Sequence, residues 1–396
     1  MPVELNYEQA SQYLEGASNN TIRSRPFTGW LDKAGRIKRG AEGKDFNWLI
    51  EYKDDTAEPY SPYSQLSFAS NTYVLPAVVT PVFWKSTSGL DVTTQIMNKG
   101  PATIVDLFEQ RTRKLATANY KLLDESLFGD GTTATFLGKP SGIGTLVQQD
   151  TGVATLVTDK VAAPGGTYAG NSMGLAANGG SWSANLASTA GVRMNAALGT
   201  DWPDGPGDPQ YDCLAPRLYN ENCTLWNDDD SSRGWKGNCV NMLSRANTDL
   251  RLNSDDMMAP TMHFSGSDRM QAFKDLLRKT LREIAPHTPS RDMGYPGTIA
   301  FENAMVDVAY DMPADRTYSI NPKLIEVFLM GSVDDAQAVG AGVVDNAGDA
   351  VAGGMFFLFG PKRPAHMLQT VWIMLSGGNT RLNPRYLCCH KDFKTA

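Results

Sequence analysis

Histidine and cysteine side chains are the obvious candidates for proton transfer, nucleophilic attack or metal binding in this chain. There are four histidines, His263, His287, His366 and His390, and none has a second ligand at the short spacing a zinc site needs. Cys389 and His390 are neighbours, but a Cys–His dyad must meet in space with a third orienting group, so adjacency alone points to no nucleophile. The five cysteines (Cys213, Cys223, Cys239, Cys388, Cys389) cannot all pair and fit no zinc pattern; the plain reading is reduced thiols in a cytosolic protein. Asn227-Asp228-Asp229-Asp230-Ser231 could offer oxygen ligands to calcium. It lacks the alternating spacing and distal Glu of an EF-hand loop, and reads as a solvated acidic turn. Asp54-Asp55 and Asp255-Asp256 read as ordinary surface pairs. The Gly-x-x-x-x-Gly-Lys-Ser/Thr, His-Glu-x-x-His and Gly-x-Ser-x-Gly patterns are all missing. The reading is therefore no catalytic residues, no metal, no cofactor: a structural protein rather than an enzyme.

The residue types that stand out are instead those of contact surfaces. Residues 1–43 have little apolar periodicity, and their second half is basic, with Arg23, Arg25, Lys33, Arg36, Lys38 and Arg39 against Asp32. Such a segment buries too little apolar surface to fold alone, and is expected to be an extended arm ordered only on another surface, the alternative being a solvated tail. Aromatics crowd the next stretch: Phe46, Trp48, Tyr52, Tyr60, Tyr63, Phe68, Tyr73, Phe83 and Trp84. Two β-prone runs, 48–53 and 72–85, flank a Pro/Ser/Tyr-rich middle and predict a long hairpin. A lone hairpin is marginal in water, so its aromatics are expected either on a neighbouring molecule or on the hairpin's own domain.

The elements that must hold these surfaces in place are legible in part. A helix is predicted over 101–128: Pro101 suits a first turn, and Ile104, Leu107, Leu115, Ala118 and Leu122 recur at helical steps. Glu109, Arg111, Arg113, Lys114, Lys121 and Asp124 fall on its other face, and Gly129-Asp130-Gly131 ends it. At that length it is a beam of about 40 Å. Residues 162–200 and 338–354 read as loops, 236–248 and 268–284 as shorter helices, and 298–308, 317–328, 355–359 and 370–375 as strands. Without regular βαβ alternation or internal repeats, the fold class is α+β.

Bulk properties agree. The 396 residues are 41% hydrophobic and 20% charged, which suits folded rather than disordered chain. A net charge of -7 argues against a dedicated nucleic-acid binder but not against a container surrounding DNA. No secretory signal is expected at the N-terminus, and the longest apolar run, 73–84, contains Pro76 and Pro81 and is too short to span a bilayer.

Taken in order, basic arm, aromatic hairpin, long helix and loop-rich α+β body resemble the major capsid proteins of tailed bacteriophages with the Hong Kong 97-type fold. Local strings are similar too. Asn98-Lys99-Gly100 before Ile104-Val105-Asp106-Leu107 is similar to the approach to that group's spine helix, and Leu127-Phe128-Gly129-Asp130-Gly131 with Ser141-Gly142-Ile143-Gly144-Thr145-Leu146-Val147 to its exit. Thr167-Tyr168-Ala169-Gly170 with Trp182, Ile299 to Asp307, Asp311-Met312-Pro313, Tyr318-Ser319-Ile320-Asn321, and Gly378 through Arg385 resemble later segments. The resemblance implies an N-arm (1–43), an E-loop hairpin (44–90) and a P-domain with the spine helix (91–165). It further implies a mainly A-domain region (166–290), P-domain strands (291–325), A-domain strands and loop (326–362) and C-terminal strands (363–396).

It also implies a homo-oligomer of hexameric and pentameric capsomers in a virion capsid assembled in the host cytoplasm. The shell would enclose double-stranded DNA without sequence-specific contact, with separate scaffolding, decoration and portal proteins as partners and no membrane. A fused scaffolding segment is not expected, because only some forty residues precede the hairpin. The intersubunit contacts are expected from Trp48, Tyr52, Tyr60, Tyr63, Phe68, Tyr73, Phe83 and Trp84 in the hairpin and from Arg23, Arg25, Arg36, Lys38 and Arg39 in the arm. Crosslinking is not predicted, since nothing identifies Asn and acid partners for Lys53 or Lys85. Two alternatives stand beside this reading: another virion component such as a portal or tail protein, and a glycan-binding protein.

Overall fold

A computed structural model describes residues 26–41, 43–51, 59, 62, 74–91, 104–131, 135, 138–147, 160–161, 167–172, 216–222, 234–252, 261–280, 299–302, 304–309, 311–330, 342–344, 356–362 and 369–391. In chain order the elements are α1 (Pro26–Lys33), β1 (Ile37–Ala41), β2 (Phe46–Glu51), β3 (Val74–Val79), β4 (Val82–Asp91), α2 (Ile104–Phe128), α3 (Gly144–Val147), β5 (Lys160–Val161), β6 (Thr167–Tyr168), β7 (Asn171–Ser172), β8 (Arg217–Asn220), α4 (Trp235–Leu252), β9 (Met262–Ser265), α5 (Ser267–Thr280), β10 (Ile299–Phe301), β11 (Ala304–Val308), β12 (Arg316–Ile320), β13 (Ile325–Met330), β14 (Gly342–Val344), β15 (Phe356–Lys362), β16 (Gln369–Leu382) and β17 (Leu387–Lys391). Short 3-10 turns lie at Pro322–Leu324 and Pro384–Tyr386.

Among the described residues the strands form two larger sheets and two ribbons. The central sheet runs β10-β11-β9-β12-β17-β8-β5, and the peripheral one β1-β13-β16-β15-β14 with β4 on the other edge of β16. Strand β16 organises the peripheral sheet because it is long enough to serve two neighbours on one side. Its end around Gly377 to Leu382 pairs with β13 and its start around Val371 to Leu375 with β15, while β4 follows it from Gln369↔Asp91 to Gly378↔Val82.

The long helix α2 lies against this sheet. Leu115, Leu123 and Leu127 are buried along one stripe, and Asn119 donates from Nδ2 to Ser86 Oγ on β4 at 2.8 Å. Asp124, expected among the solvated charges, is buried and accepts a hydrogen bond from Thr28 of α1. Where the helix ends, the chain folds back on it: Ile143 N donates to Leu127 O at 2.7 Å, and Gly142 and Gly144 press onto the last turn's backbone.

Residues 26–41 correct the expectation of an extended arm. Pro26 starts a helix in which Phe27, Trp30 and Leu31 recur at helical spacing and are 0%, 5% and 0% exposed. The Phe27 ring meets Phe128 at 4.7 Å and Phe264 at 5.0 Å between centroids, so α1 ties the long helix to the central sheet. Gly35, at φ 66°, supplies the left-handed turn into β1, which pairs parallel with β13. Those few apolar residues, concentrated on one face, outweigh the basic composition around them. Residues 1–25 lie outside the described residues, Arg23 and Arg25 among them.

Two expected boundaries also change. The single strand expected over 317–328 is broken: Pro322 has no N–H for a ladder and Asn321 accepts from Lys323 N at 2.9 Å, so the chain turns there. Strand β12 stays in the central sheet and β13 enters the peripheral one. The border at 290 divides a single sheet, since β9 pairs parallel with β11 (Met262↔Met305 through Ser265↔Val308). Helices α4 and α5 pack on that same sheet, burying Trp235, Met242, Leu243, Phe273 and Leu277 against Val306.

Asn379 is the clamp between these parts. Its Oδ1 accepts from Ser141 N at 2.9 Å and its Nδ2 donates to Thr80 O at 2.7 Å, joining the helix exit to the break between β3 and β4. The amide itself is buried at 4% exposure, between a half-buried Ser141 and an exposed Thr80. Asn379→Ala is expected to cost about 1 kcal/mol of stability, because two part-buried backbone groups lose their partners. Urea unfolding of the isolated subunit measures this; an unchanged midpoint would remove the clamp from the account.

Candidate assembly surface

The hairpin that the sequence predicted begins as β2 and β3, paired from Phe46↔Val79 to Glu51↔Val74. Alternation along Phe46-Asn47-Trp48-Leu49-Ile50-Glu51 sorts the side chains onto two faces, half-buried and exposed by turns. The inner face docks on the chain's own body. Phe46 meets Phe328 of β13 at 5.4 Å between ring centroids, Trp48 meets Tyr168 at 6.4 Å, and the Arg381 guanidinium lies 5.6 Å above the Trp48 ring.

A small ribbon, β6 and β7, is the dock. Ala169 and Gly170 turn it at φ 50° and 84°, a left-handed pair that favours small residues. Val78 N donates to Ala169 O at 3.2 Å and Asn171 Nδ2 to Pro76 O at 2.9 Å. Tyr168 anchors the ribbon below: its hydroxyl donates to Thr380 O at 3.1 Å and accepts from Leu382 N at 2.7 Å. Burial pushes that phenol far above its ordinary pKa, although the bond from Leu382 pulls it down, so it stays a neutral structural group.

On the outer face, apolar groups of the described residues are exposed. Leu49 is 66% exposed and Val78 48%, with Pro76 directly across from Leu49. Nearby on β4, Phe83 is 71% exposed, its ring lying over Gly377 so closely that a Cβ there would sit 2.6 Å from it.

The residues singled out from sequence are thus divided. Trp48 turns onto its own subunit and Phe83 points outward. Trp84 is a correction: at 7% exposure it belongs to the subunit's core, because alternation along β4 puts it on the side facing α2. Arg36 pairs with Glu326 at 2.8 Å, Arg39 with Asp32 at 3.1 Å, and Lys38 is exposed on β1. Tyr52, Tyr60, Tyr63, Phe68 and Tyr73 lie outside the described residues. Leu49 and Val78 were missed; the two-residue period of the β2 sequence was the available signal for Leu49.

Among the described residues no group of three or more His, Cys, Asp or Glu side chains could hold a metal ion. The buried thiols are held protonated: burial pushes Cys239 and Cys389 up to about 12.

No protein-family profile and no curated protein matches the chain. Solved structures do. A chain of the cyanophage A-1(L) capsid asymmetric unit aligns with a TM-score of 0.59 over 96% of both chains, at 12% identity. A chain from the capsid of an empty GTA particle aligns with a TM-score of 0.50 at 11% identity, over 99% of this chain and 100% of that one. The fold is that of a phage capsid subunit. Both alignments run over nearly the whole length of each chain.

Proposed function

We propose that this chain is the major capsid protein of a tailed bacteriophage, a non-enzymatic subunit of an icosahedral head shell around double-stranded DNA. The observation that carries the reading is end-to-end alignment with a phage capsid subunit in a chain whose hairpin keeps an exposed apolar face. In Hong Kong 97-type terms, β2 and β3 begin the E-loop and α2 is the spine helix; the sheet around β16 is the P-domain, in place of the A-domain expected for 326–362, and the sheet under α4 and α5 is the A-domain, in place of the P-domain expected for 291–325. The outer hairpin face covers part of an adjacent copy, and residues preceding α1 reach further as the arm. Repetition of such contacts in hexameric and pentameric capsomers makes individually weak interactions add. The shell is a virion capsid built in the host cytoplasm, with scaffolding, portal and decoration proteins as separate partners.

Negative-stain electron microscopy with light scattering, on the chain alone and co-expressed with a scaffold, tests this. Closed shells, sheets or five- and six-membered rings are the expected products. A monomer under both conditions would overturn the reading. Leu49→Asp/Val78→Asp is expected to leave the subunit's unfolding unchanged to within about 0.5 kcal/mol, as exposed positions allow. The same variant should form few or no shells, because it puts charge into the contact. Normal shell yield from that variant would exclude the outer hairpin face as an interface.

A further inference from the structure

The two faces of the central sheet are held by different chemistry. Ser319 on β12 stands opposite His263 and Cys388, and Thr317 opposite Ser265 and His390, so two-residue alternation puts all six on one face. Met262, Phe264, Tyr318, Ile320, Leu387 and Cys389 fall on the other, where they join residues of α1 and α2 in one continuous apolar core. The polar face lies under α4 and α5. Apolar contact there falls into two separate clusters, one around Phe273 and Val306 and one of Tyr219, Ala246, Leu250 and Cys388.

Polar atoms without a partner gather on the same side. His263 Nε2, both ring nitrogens of His390 and both side-chain amide atoms of Asn247 on α4 are buried and have no hydrogen-bond partner in the protein. Each such atom weakens the interface that buries it, because opening returns it to water. The charged groups facing this layer are already engaged. Arg217 of β8 donates to Asp249 O, the Tyr219 hydroxyl to the Asp249 carboxylate of α4, Arg269 of α5 to Glu221, and Lys391 pairs with Asp315 at 3.3 Å. From β11 only Val306 stands opposite His263. The two helices are tied to each other: Trp235 Nε1 donates to Arg269 O at 2.9 Å, and the Arg269 guanidinium lies 4.9 Å over the Trp235 ring.

We propose that α4 and α5 lift from the central sheet as one unit while the rest of the subunit stays folded, and that acid promotes this by protonating His263 and His390 once they are exposed. A helix–sheet boundary poor in apolar contact is where local opening costs least. The device belongs to the single subunit and does not depend on the shell reading.

Cysteines on the two faces report the lifting. Cys388 and Cys389 are adjacent in β17 but face opposite sides, Cys239 lies on the buried side of α4, and all three are 0% exposed. The full, unassembled chain is labelled with N-ethylmaleimide, and each thiol's rate is divided by its rate in urea at the same pH to give an opening constant. Cys239 and Cys388 are expected to share one constant, at least about tenfold larger than that of Cys389. Between pH 7.5 and pH 5.5 it should rise about a hundredfold, roughly tenfold for each imidazole that takes up a proton near its ordinary pKa. In His390→Phe the rise should shrink to about tenfold. Equal constants for Cys388 and Cys389 would mean that only global unfolding exposes them, and would overturn the unit. A Cys388 constant that ignores pH, or a full rise in His390→Phe, would overturn the part played by the histidines. Should His390→Phe not fold, Cys388 and Cys389 of the unchanged chain still decide whether the unit lifts and whether acid promotes it.

Discussion

Gly142→Ala is expected to leave little soluble protein, with a loss of about 3 kcal/mol or more in what folds. A Cβ at this position would lie 2.0 Å from Ser126 O, 2.6 Å from Gly129 O and 2.7 Å from Leu127 C. All three are backbone atoms of the end of α2, so no side-chain rotation relieves the overlap. Either the helix end or the returning chain must move, and both are committed. Ile143 N is bonded to Leu127 O at 2.7 Å, Gly131 N to Thr145 Oγ1 at 2.9 Å, and the loop is clamped from the other side by Asn379. Overpacking usually costs about 1–3 kcal/mol, and a clash with fixed backbone belongs at or above that range. The control is Gly131→Ala, where a Cβ would meet its nearest atoms at an ordinary 3.4 Å. That change is expected to fall within about 0.5 kcal/mol of neutral. Solubility and urea unfolding of the two variants side by side make the comparison; equal behaviour would mean that the helix exit is not tightly packed.

What the sequence could and could not reveal follows from how each element is held. The long helix was legible because packing on one side of a helix leaves a period in the residue types and because Gly129-Asp130-Gly131 ends it, so the expected 101–128 overlaps the observed Ile104–Phe128. Helix α1 carries the same signal in Phe27, Trp30 and Leu31, but over only eight residues set in a basic stretch. Strand β1 left no signal. It joins the sheet through backbone pairing with β13 and only Ile37 is buried, so its side chains are under no period-two constraint. The central sheet was legible in β10, β11 and β12, which fall in the expected 298–308 and 317–328, and illegible elsewhere for a different reason. Its strands β8, β9 and β17 (Arg-Leu-Tyr-Asn, Met-His-Phe-Ser, Leu-Cys-Cys-His-Lys) are buried throughout although half their residues are polar. Polar groups are tolerated there because neighbours across the ladder satisfy some of them, as His263 Nδ1 and Ser319 Oγ do at 2.7 Å. The dock at β6 and β7 could be noticed only as a string, Thr167-Tyr168-Ala169-Gly170, since its partners are some two hundred residues away at Thr380 and Leu382.

That polar layer leads to the second large effect: the subunit should lose about 4 kcal/mol of stability between pH 7.5 and pH 5. His263 and His390 are both 0% exposed. Burial pushes His263 down to about 3, and burial, then His263 and Arg269, pushes His390 well below its ordinary value. The groups around His390 give a proton no favourable site. Tyr219 stacks on it at 5.0 Å from β8, Trp235 lies 6.2 Å away from α4, and Thr317 stands opposite on β12. Nearby carboxylates are engaged elsewhere, Glu221 by Arg269 of α5, Asp249 by the Tyr219 hydroxyl and Asp315 by Lys391, and Arg269 itself opposes protonation. Both imidazoles are therefore neutral in the folded subunit and take up protons in the unfolded chain near pH 6.5. A folded-state pKa below the unfolded one means stability is complete above about 6.5 and declines as pH falls. Each group then contributes about 1.4 kcal/mol per pH unit, or roughly 2 kcal/mol apiece at pH 5. The window above pH 5 precedes the ordinary titration of carboxylates, which keeps the two contributions apart. Urea midpoints of the unassembled subunit across this range measure the slope. His390→Phe preserves the stack on Tyr219 without a titrating group, and should about halve the slope while leaving stability at pH 7.5 nearly unchanged. A slope identical to that of the unchanged chain would mean that His390 is protonated in place, and that the layer beneath α4 and α5 admits charge.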